Sequence, residues 1–344
     1  MSYRADETRY DTMTYRRSGR TGLKLPAISL GLWQNFGGTR DTPSAFEILG
    51  YAFDRGVTHF DLANNYGPPP GAAEELFGQV LAREFRPYRD EIVVSSKAGW
   101  RMWPGPYGEF GSRKYMIASC DQTLQRLGLD YVDIFYSHRY DPNTPLEETM
   151  GALAQLHRQG KALYVGISSY PAEQTREAHR ILAEMGVPLT IHQPSYSILN
   201  RWIEADGTID ACGELGVGVI PFSPLGQGVL TGKYSGGKGE GTRAGEQNST
   251  VGGRWLQPEV LEAVDKLAEI ARARGQTMTQ LALAWVLRRP EVTSALIGVR
   301  TLEQLADCLG ALDKLGFATE ELAAIDAATE GARLDSHPPV KLPD

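Results

Sequence analysis

Residues 30–38 read LGLWQNFGG and span the end of the first predicted strand and the turn after it, and this stretch decides between two large α/β folds. In an open doubly wound sheet, a glycine-rich GxGxxG turn should follow the first strand. The stretch contains no such pattern, although it holds a tryptophan and two adjacent glycines. It therefore favours a closed barrel of parallel strands.

Short β-rich runs alternate with longer amphipathic segments along the rest of the chain. Two of these segments, residues 43–55 and 112–127, have the apolar spacing of helices. Mainly apolar strands that are each followed by a helix are typical of a parallel sheet covered by helices. Eight such strands in 344 residues predict an α/β fold, the (β/α)8 TIM barrel. The predicted strands are residues 27–33, 58–63, 91–98, 131–138, 162–169, 189–194, 216–223 and 294–300.

Three segments depart from the simple repeat. Residues 14–29 have the pattern of a β-hairpin, which would cover the amino-terminal end of the barrel. Residues 235–253 hold seven glycines in nineteen positions and predict a mobile loop. Two extra helices, at about 257–274 and 277–288, are expected before the last strand. We expect one barrel domain over residues 14–335, with irregular tails at 1–13 and 336–344.

Composition and charge narrow the class of protein. The hydrophobic fraction is 42% and the charged fraction is 22%, which are typical of a globular domain. The formal charge of −7 and the pI of about 5.5 argue against a broad surface for nucleic acid or membrane. A small anionic ligand stays compatible with this charge, because it needs only a local cluster of cations.

The cysteines and the amino terminus indicate the compartment. Cys120, Cys212 and Cys308 are widely spaced and lack CxxC or histidine-rich neighbours, which favours reduced thiols over disulfides or a zinc site. The first residues have no apolar core of a signal peptide, and no run of about 18 apolar residues could span a membrane. We therefore expect a cytoplasmic protein.

Polar side chains stand where several predicted strands end, which is where barrel enzymes carry their chemistry. Strands 2, 3 and 4 deliver Asp61, Lys97 and His138, and Tyr66 follows Asp61 in HFDLANNYG (59–67). Each residue alone has an ordinary structural explanation, such as a buried ion pair, but their convergence on one rim favours a catalytic group. The other predicted strands end at Trp33, Ser168, Gln193, Ser223 and between Gly298 and Arg300.

These four side chains suit the reduction of a carbonyl group. The carbonyl oxygen must receive a hydrogen bond and then a proton, and a tyrosine can supply both. A phenol has a pKa of about 10, so it is a weak acid at neutral pH. Because a nearby cation favours the phenolate, we expect Lys97 to lower the pKa of Tyr66. Asp61 would hold the ammonium group of Lys97, and His138 would donate a hydrogen bond to the carbonyl oxygen.

The residues around these positions resemble the aldo-keto reductase family over nearly the whole chain. FDLANNYG is similar to the family's Asp-to-Tyr signature, VVSSKAG to its lysine strand and YVDIFYSHR to its histidine strand. The family's catalytic tetrad carries over to Asp61, Tyr66, Lys97 and His138. The stretches THFDLANNYGPPPG, MWPGPYGEFGSRKY, GKALYVGISSY, IHQPSYSILNRW and LTGKY resemble a bacterial branch that is related to β subunits of voltage-gated potassium channels.

The resemblance implies NADPH bound in an extended form across the barrel mouth. Ser168 and Gln193 would bind the nicotinamide carboxamide, Tyr196 would stack on its ring, and Trp33 would lie beside it. A glycine-rich loop and the start of a helix near Thr301 would offer backbone N–H groups to phosphate. The remaining cofactor contacts are expected at Ser223, Pro224, Leu225, Gln227 and Gly228 for the pyrophosphate, at Lys233 and Arg243 closing over it, and at Gly298, Arg300 and Gln304 around the adenosine 2′-phosphate.

Three positions depart from the family pattern. Ser169 stands where an Asn or Arg is usual, so one amide contact is missing from the pattern. Cys308 replaces a usual Asn, and Arg300 replaces a usual Ser. An arginine at this position could strengthen a contact with the 2′-phosphate through paired charged hydrogen bonds, which favours NADPH over NADH.

The resemblance implies a small aldehyde as the substrate, such as L-glyceraldehyde 3-phosphate or methylglyoxal. Trp33, Tyr66, Trp100 and His138 are the expected substrate contacts. Trp103 and Tyr107 lie near the same strand exits, where they could equally anchor loops. The candidates for a substrate phosphate are Arg101, Arg113, Lys114 and Arg139, each of which could instead be a solvated surface charge.

Two other functions fit parts of the pattern. The likeness to channel β subunits suggests an NADP(H)-binding redox-sensing or regulatory subunit, but such subunits often carry a long amino-terminal extension and an Asn at the position of His138. An isomerase or aldolase that forms a Schiff base on Lys97 would leave Tyr66 without a role. The resemblance also suggests a homo-oligomer, although no residue pattern identifies an interface.

Overall fold

The computed structural model of the chain describes residues 3–38, 40–233 and 253–335. The strands in these ranges are β1 (Tyr15–Arg17), β2 (Lys24–Pro26), β3 (Ile28–Gly31), β4 (His59–Asp61), β5 (Val93–Ala98), β6 (Val132–Ser137), β7 (Ala162–Ser168), β8 (Leu189–Gln193), β9 (Gly218–Val219) and β10 (Ala295–Ile297). The helices are α1 (Thr42–Phe53), α2 (Ala72–Val80), α3 (Arg113–Leu127), α4 (Leu146–Arg158), α5 (Ala172–Glu184), α6 (Trp202–Ala205), α7 (Thr208–Leu215), α8 (Pro258–Ala273), α9 (Met278–Leu287), α10 (Leu302–Leu309) and α11 (Thr319–Ala328).

Strands β3 to β10 form one parallel sheet of eight strands, in the order β10-β3-β4-β5-β6-β7-β8-β9. The sheet is curled, and main-chain hydrogen bonds join its two ends. Thr293 N donates to Val219 O at 2.7 Å, and Leu296 N donates to Pro221 O at 3.0 Å. The alternation of strands and helices predicted from the sequence is confirmed.

Helix boundaries follow local sequence signals. The Asp41 side chain accepts a hydrogen bond from Ser44 N at the start of α1, and Thr277 forms a capping box with Gln280 at the start of α9. Helix α3 ends at Gly128, whose φ of 66° lies in the left-handed region that favours glycine. Helices α8 and α9 match the two predicted extra helices to within a residue or so at each end.

The hairpin predicted near the amino terminus is present as the antiparallel pair β1–β2. Ser18 Oγ donates to Thr190 O at 3.0 Å, so the hairpin touches the beginning of β8. Leu23 and Leu25 pack with Ile134 and Ile191 inside the curled sheet. The hairpin therefore covers the amino-terminal end of the sheet, opposite the predicted site.

Strand β9 is much shorter than the predicted strand 216–223. Pro221 has no N–H group, so the regular ladder ends after Val219. Ile220 N and Phe222 N still donate to His192 O and Pro194 O, which carries the chain to the rim in an irregular form. Strand β3 likewise ends at Gly31, two residues before Trp33.

The amino-terminal residues 3–13 contain no helix or strand, yet they are packed against the domain. Ala5 and Met13 are buried, and Tyr3 Oη donates to Asp54 Oδ1 at 2.6 Å. The predicted tail 336–344 and most of the glycine-rich segment 235–253 lie outside the described residues. None of the helices in the described ranges is both long and apolar enough to cross a lipid bilayer.

Candidate active site

A cavity of about 650 Å³ opens at the carboxyl ends of the strands. Its volume is within the range of ordinary ligand pockets. The structure brings most of the predicted site residues to this cavity, and the lining includes Trp33, Asp61, Tyr66, Trp100, His138, Ser168, Gln193, Ser223, Pro224, Leu225, Gln227, Gly228, Lys233, Gly298, Arg300 and Gln304. Lys97 and Tyr196 lie behind this surface, and Arg243 lies outside the described residues.

Asp61 and Lys97 form a buried ion pair at the ends of neighbouring strands β4 and β5. Lys97 Nζ donates to Asp61 Oδ2 at 2.5 Å and to the backbone oxygen of Leu62 at 2.6 Å. Burial lowers the pKa of Lys97, while the charge of Asp61 opposes this effect. The other carboxylate oxygen of Asp61 accepts from Ser95 Oγ at 2.6 Å and from Gln193 Nε2 at 3.1 Å.

Tyr66 lies beside this pair, as the sequence predicts. Lys97 Nζ is 5.0 Å from the centre of the Tyr66 ring, and the ring centres of Tyr66 and His138 are 5.9 Å apart. Burial raises the pKa of Tyr66 well above its ordinary value, and the negative charge of Asp61 raises it further. The prediction that Lys97 lowers this pKa is therefore wrong for the net shift. The cost of burying a phenolate is larger than any stabilisation of it by the Lys97 ammonium. The phenol stays protonated at neutral pH.

His138 is a neutral imidazole. Burial lowers its pKa well below the ordinary value, and the positive charges of Lys97 and Arg139 lower it further. Nδ1 is buried without a hydrogen-bond partner among the described residues. A neutral ring carries one N–H group, so His138 can donate a hydrogen bond to a carbonyl oxygen without adding a charge.

Arg139, the next residue, holds the loop after β5 in place. Its guanidinium lies 4.0 Å from the ring centres of both Trp100 and Phe110. It donates through Nε to Gly99 O at 2.9 Å and pairs with Glu109. Arg139 is therefore a buried support for Trp100 in the cavity wall, and its charge is already paired.

The other candidates for a substrate phosphate are also away from the cavity surface. Arg113 donates to Gly151 O and to Gln155 Oε1, while Arg101 and Lys114 are exposed. None of the four predicted candidates lines the described cavity. Two of the predicted aromatic residues are outside it as well: Trp103 packs against Tyr115 with ring centres 5.1 Å apart, and Tyr107 is exposed.

The cavity floor contains backbone in an unusual conformation. Ser169, Ser223 and Gln227 have φ values of 57°, 54° and 56°, in the left-handed region that side chains other than Gly, Asn and Asp seldom adopt. Such conformations persist where the surrounding structure fixes them, and they cluster at binding sites. Ser168 Oγ donates to Gln193 O at 2.7 Å, so the ends of β7 and β8 are fixed beside each other.

The lining chemistry fits a polar, anionic ligand such as a nicotinamide dinucleotide. Asn35 Nδ2, Asn65 Oδ1 and Gln227 Oε1 are buried polar atoms that have no hydrogen-bond partner among the described residues. Buried polar groups are nearly always paired, so these atoms are suited to hydrogen-bond a polar ligand. Three cations also line the cavity, namely Lys233, Arg254 and Arg300. Asn35 and Arg254 were not predicted from the sequence, although Asn35 lies two residues beyond the first predicted strand and Arg254 directly follows the glycine-rich segment.

The expected stacking role of Tyr196 is contradicted by its position. The ring is fully buried against Trp285, with ring centres 5.2 Å apart, and its hydroxyl accepts from Arg288 at 2.9 Å and bonds to Glu204. These three partners come from α6 and from the end of α9, and they hold the ring away from the cavity. Phe222, directly before Ser223, lines the cavity instead. Its position within PFSP (221–224), where the seventh predicted strand ends, could have identified it.

The rim after β10 carries a second group of polar contacts. Thr301 Oγ1 caps α10 by accepting from Gln304 N at 3.3 Å, and Arg300 N donates to Gln304 Oε1 at 2.9 Å. Arg300 Nε donates to Asn35 Oδ1 at 3.1 Å, which joins this rim to the loop after β3. The predicted adenosine residues Gly298, Arg300 and Gln304 are thus brought together.

Comparison with known proteins gives consistent similarities. Residues 27–330 match the model of the Aldo/keto reductase family. The chain is 54% identical over 329 residues to the L-glyceraldehyde 3-phosphate reductase of Escherichia coli K12, with 95% of each chain covered. It is 36% identical over 310 residues to a probable voltage-gated potassium channel subunit beta of Arabidopsis thaliana, with 89% of this chain and 93% of that protein covered.

Proposed function

Because the chain belongs to the aldo/keto reductase family, we propose that it is an NADPH-dependent reductase of small aldehydes, with L-glyceraldehyde 3-phosphate as the leading substrate. The observation that carries the proposal is the arrangement of Tyr66, His138 and the Asp61–Lys97 pair at one end of a single cavity. We also propose that the eight-stranded sheet is a closed (β/α)8 barrel. This proposal is supported by the main-chain hydrogen bonds that join the segments of the two end strands, β9 and β10.

The two ends of the cavity fit the two ends of NADPH. Ser168 and Gln193 would hold the nicotinamide carboxamide near Tyr66, and Phe222 would contact the ring. Lys233 and Arg254 would face the pyrophosphate, and Arg300 would face the 2′-phosphate, because guanidinium groups pair well with phosphate. When bound, NADPH would supply the hydride for the carbonyl carbon.

The chain's own residues would control the proton. A protonated phenol at Tyr66 can donate to the substrate oxygen, which becomes far more basic as it turns into an alkoxide. The raised pKa of Tyr66 keeps this proton in place until that basicity develops. The neutral His138 would donate a second hydrogen bond to the same oxygen, and the Lys97 ammonium would stabilise the phenolate left behind.

The aromatic lining of the site suits the carbon face of a small aldehyde. Trp33 and Trp100 line the cavity with Tyr66 and His138, so aromatic surfaces surround the predicted carbonyl position. The name of the bacterial relatives indicates a phosphorylated triose. Methylglyoxal is a second small aldehyde that would fit the same aromatic surroundings.

Two alternative functions receive less support. A Schiff base on Lys97 would need its amine to face the substrate, but Nζ donates to Asp61 and Leu62 and does not line the described cavity. A regulatory subunit like the channel β proteins is suggested only by the lower identity of 36%. The chain also keeps His138 at the cavity, which a reductase needs.

A panel of aldehydes tests the proposal. Purified enzyme is mixed with NADPH and with L-glyceraldehyde 3-phosphate, its unphosphorylated form or methylglyoxal, and the loss of NADPH absorbance is followed. We expect turnover, with the highest kcat/KM for the phosphorylated triose. Tight binding of NADPH without turnover of any aldehyde would support the regulatory subunit instead.

A further inference from the structure

A chain of buried hydrogen bonds connects the interior of the sheet to Asp61. His59 and Asp61 are two residues apart on β4, so their side chains point to the same face of the strand. His59 Nε2 is 2.9 Å from Ser95 Oγ, which in turn donates to Asp61 Oδ1 at 2.6 Å. On its other side, His59 Nδ1 is 2.9 Å from Ser29 Oγ, and all of these groups are fully buried.

The carboxylate of Asp61 can only accept hydrogen bonds, and this fixes the donor in each of the two hydrogen bonds of Ser95. A hydroxyl has one hydrogen, and Ser95 uses it for the bond to Asp61. Ser95 must therefore accept from His59, so the proton of the imidazole lies on Nε2.

The directions of the remaining hydrogen bonds in this network follow from the neutral state of His59. Burial lowers the pKa of His59 to about 4, with a further lowering from the charge of Lys97 and an opposing effect from Asp61. A neutral ring with its proton on Nε2 accepts at Nδ1, so Ser29 donates to it. Ser29 then accepts from Ser294, whose Oγ is 2.6 Å away. Every donor between Ser294 and Asp61 points toward the carboxylate.

We propose that His59 is a positioning residue that acts through Ser95 to fix the Asp61 carboxylate, and through it the Lys97 ammonium beside Tyr66. The bond from His59 keeps the Ser95 hydroxyl from rotating away from Asp61. Asp61 Oδ2 then stays directed at Lys97, 2.5 Å away. This inference rests on the proposed function, because it takes Lys97 and Tyr66 as the pair that serves proton donation.

A purely structural role for the same network makes a different prediction. Buried polar groups need partners whether or not they serve catalysis, so loss of the network alone would reduce stability and leave turnover of the folded enzyme unchanged. A positioning role predicts a fall in kcat while the KM for the aldehyde and the Kd for NADPH stay nearly constant. The split between kcat and KM therefore separates the two roles.

Three variants and one matched control test the role by kinetics. Ser95→Ala removes a hydrogen bond to the charged Asp61 and should lower kcat by about 10- to 100-fold. His59→Leu removes a bond between neutral groups and should lower kcat by a smaller factor, about 3- to 10-fold. His59→Gln should restore most of the activity, because its amide can place an N–H group near the position of Nε2. Thr190→Val is the control: its hydroxyl is buried on β8 without a hydrogen-bond partner among the described residues, so kcat should not change.

The protonation state of His59 in the wild-type protein gives a test that needs no substrate and no turnover. In ¹⁵N NMR of histidine-labelled protein at neutral pH, with the signal assigned by its loss in His59→Gln, we expect a proton on Nε2 and a bare Nδ1. A proton on Nδ1, or kcat in Ser95→Ala equal to that of Thr190→Val, would overturn the proposal. A wild-type enzyme that reduces no aldehyde but shows the Nε2–H form would instead refute the proposed function alone.

Discussion

At the residue scale, Arg300 bears most directly on the choice between NADPH and NADH. Its backbone N–H and its Nε are held by Gln304 and Asn35, so the side chain is already oriented at the rim of the cavity. The two cofactors differ only in the 2′-phosphate. A guanidinium group at this rim can distinguish them through charged hydrogen bonds.

Removal of this guanidinium should weaken the preference for NADPH. In Arg300→Ala we expect the KM for NADPH to rise about 10-fold, the effect of one charge-assisted hydrogen bond, while the KM for NADH changes little. Arg272→Ala, at an exposed position near the end of α8 and away from the cavity, serves as the control. An unchanged ratio of the two KM values in Arg300→Ala would show that another residue reads the phosphate.

The sequence predicted site residues well where a strand end defines their position. Ser168 and Gln193 end β7 and β8, and both line the cavity as expected. Tyr196 lies three residues beyond β8, where its orientation is decided by contacts with Glu204 and Arg288. Arg288 is distant in sequence, so the residue type alone could not reveal the direction of the ring.

The sign of the Tyr66 pKa shift could not be predicted for a related reason. The sequence shows that a lysine and a tyrosine meet, and their interaction alone lowers the pKa of the phenol. The depth of burial depends on how the loops pack over the strand ends. In the structure burial dominates, and the net shift is upward.

At the element scale, the loop after β5 is held by Arg139. The guanidinium stacks between Trp100 and Phe110, and Tyr115 Oη donates to Trp100 O at 2.5 Å. These contacts fix Trp100 in the wall of the cavity. Arg139, which follows β6, and Tyr115 of α3 therefore add to the hydrogen bonds within the loop, such as Phe110 N to Gly99 O at 2.9 Å.

Replacement of Arg139 by Met should loosen this wall without removing a catalytic group. We expect the KM for the aldehyde to rise by about 10-fold, because a stacked arginine at a partly desolvated site contributes up to about 2 kcal/mol. The Kd for NADPH, measured by fluorescence titration, should stay nearly constant. Arg139→Lys should behave like Arg139→Met, since an ammonium lacks the planar fork that binds Gly99 O and Glu109. A wild-type KM in both variants would refute the support role.

Elements were predicted with unequal success for physical reasons. The helices α8 and α9 have clear start signals, and their predicted bounds agree closely. Strand β9 was predicted too long because its apolar residues continue past Val219, whereas Pro221 interrupts the ladder. Apolar character gives the burial of a segment, and proline decides how far its hydrogen bonds extend.

At the scale of the whole molecule, buried neutral histidines make stability depend on pH. The pKa of His59 is lowered to about 4, whereas an unfolded histidine titrates near 6.5. Between these values the unfolded chain binds more protons than the folded one, so the free energy of unfolding falls as the pH decreases. Across this pH range His59 changes the free energy of unfolding by about 3 kcal/mol. The lowered pKa of His138 acts in the same direction.

His59→Gln should remove part of this pH dependence. Urea unfolding at about pH 7.5 and about pH 4.5 gives the loss of stability in each protein, and we expect a smaller loss in the variant by about 2 to 3 kcal/mol. Comparing differences across pH cancels any uniform destabilisation by the substitution. Equal losses in the wild type and the variant would mean that His59 titrates normally in the folded state.

The architecture of the whole chain was the most predictable feature. Eight strands alternating with helices, without GxGxxG after the first strand, favoured a barrel, and the structure shows a curled sheet of eight parallel strands. What the sequence could not show is how the sheet ends meet. That junction depends on main-chain bonds between residues near Val219 and Thr293, which no side-chain pattern encodes.

The central claim is that the Tyr66 hydroxyl gives its proton to the carbonyl oxygen, and a single-turnover experiment tests it most directly. Enzyme loaded with NADPH is mixed rapidly with the aldehyde, and NADPH oxidation is followed in the wild type and in Tyr66→Phe. We predict a rate lower by at least about 100-fold in the variant, with the Kd for NADPH nearly unchanged. An equal rate in the two proteins would contradict the claim.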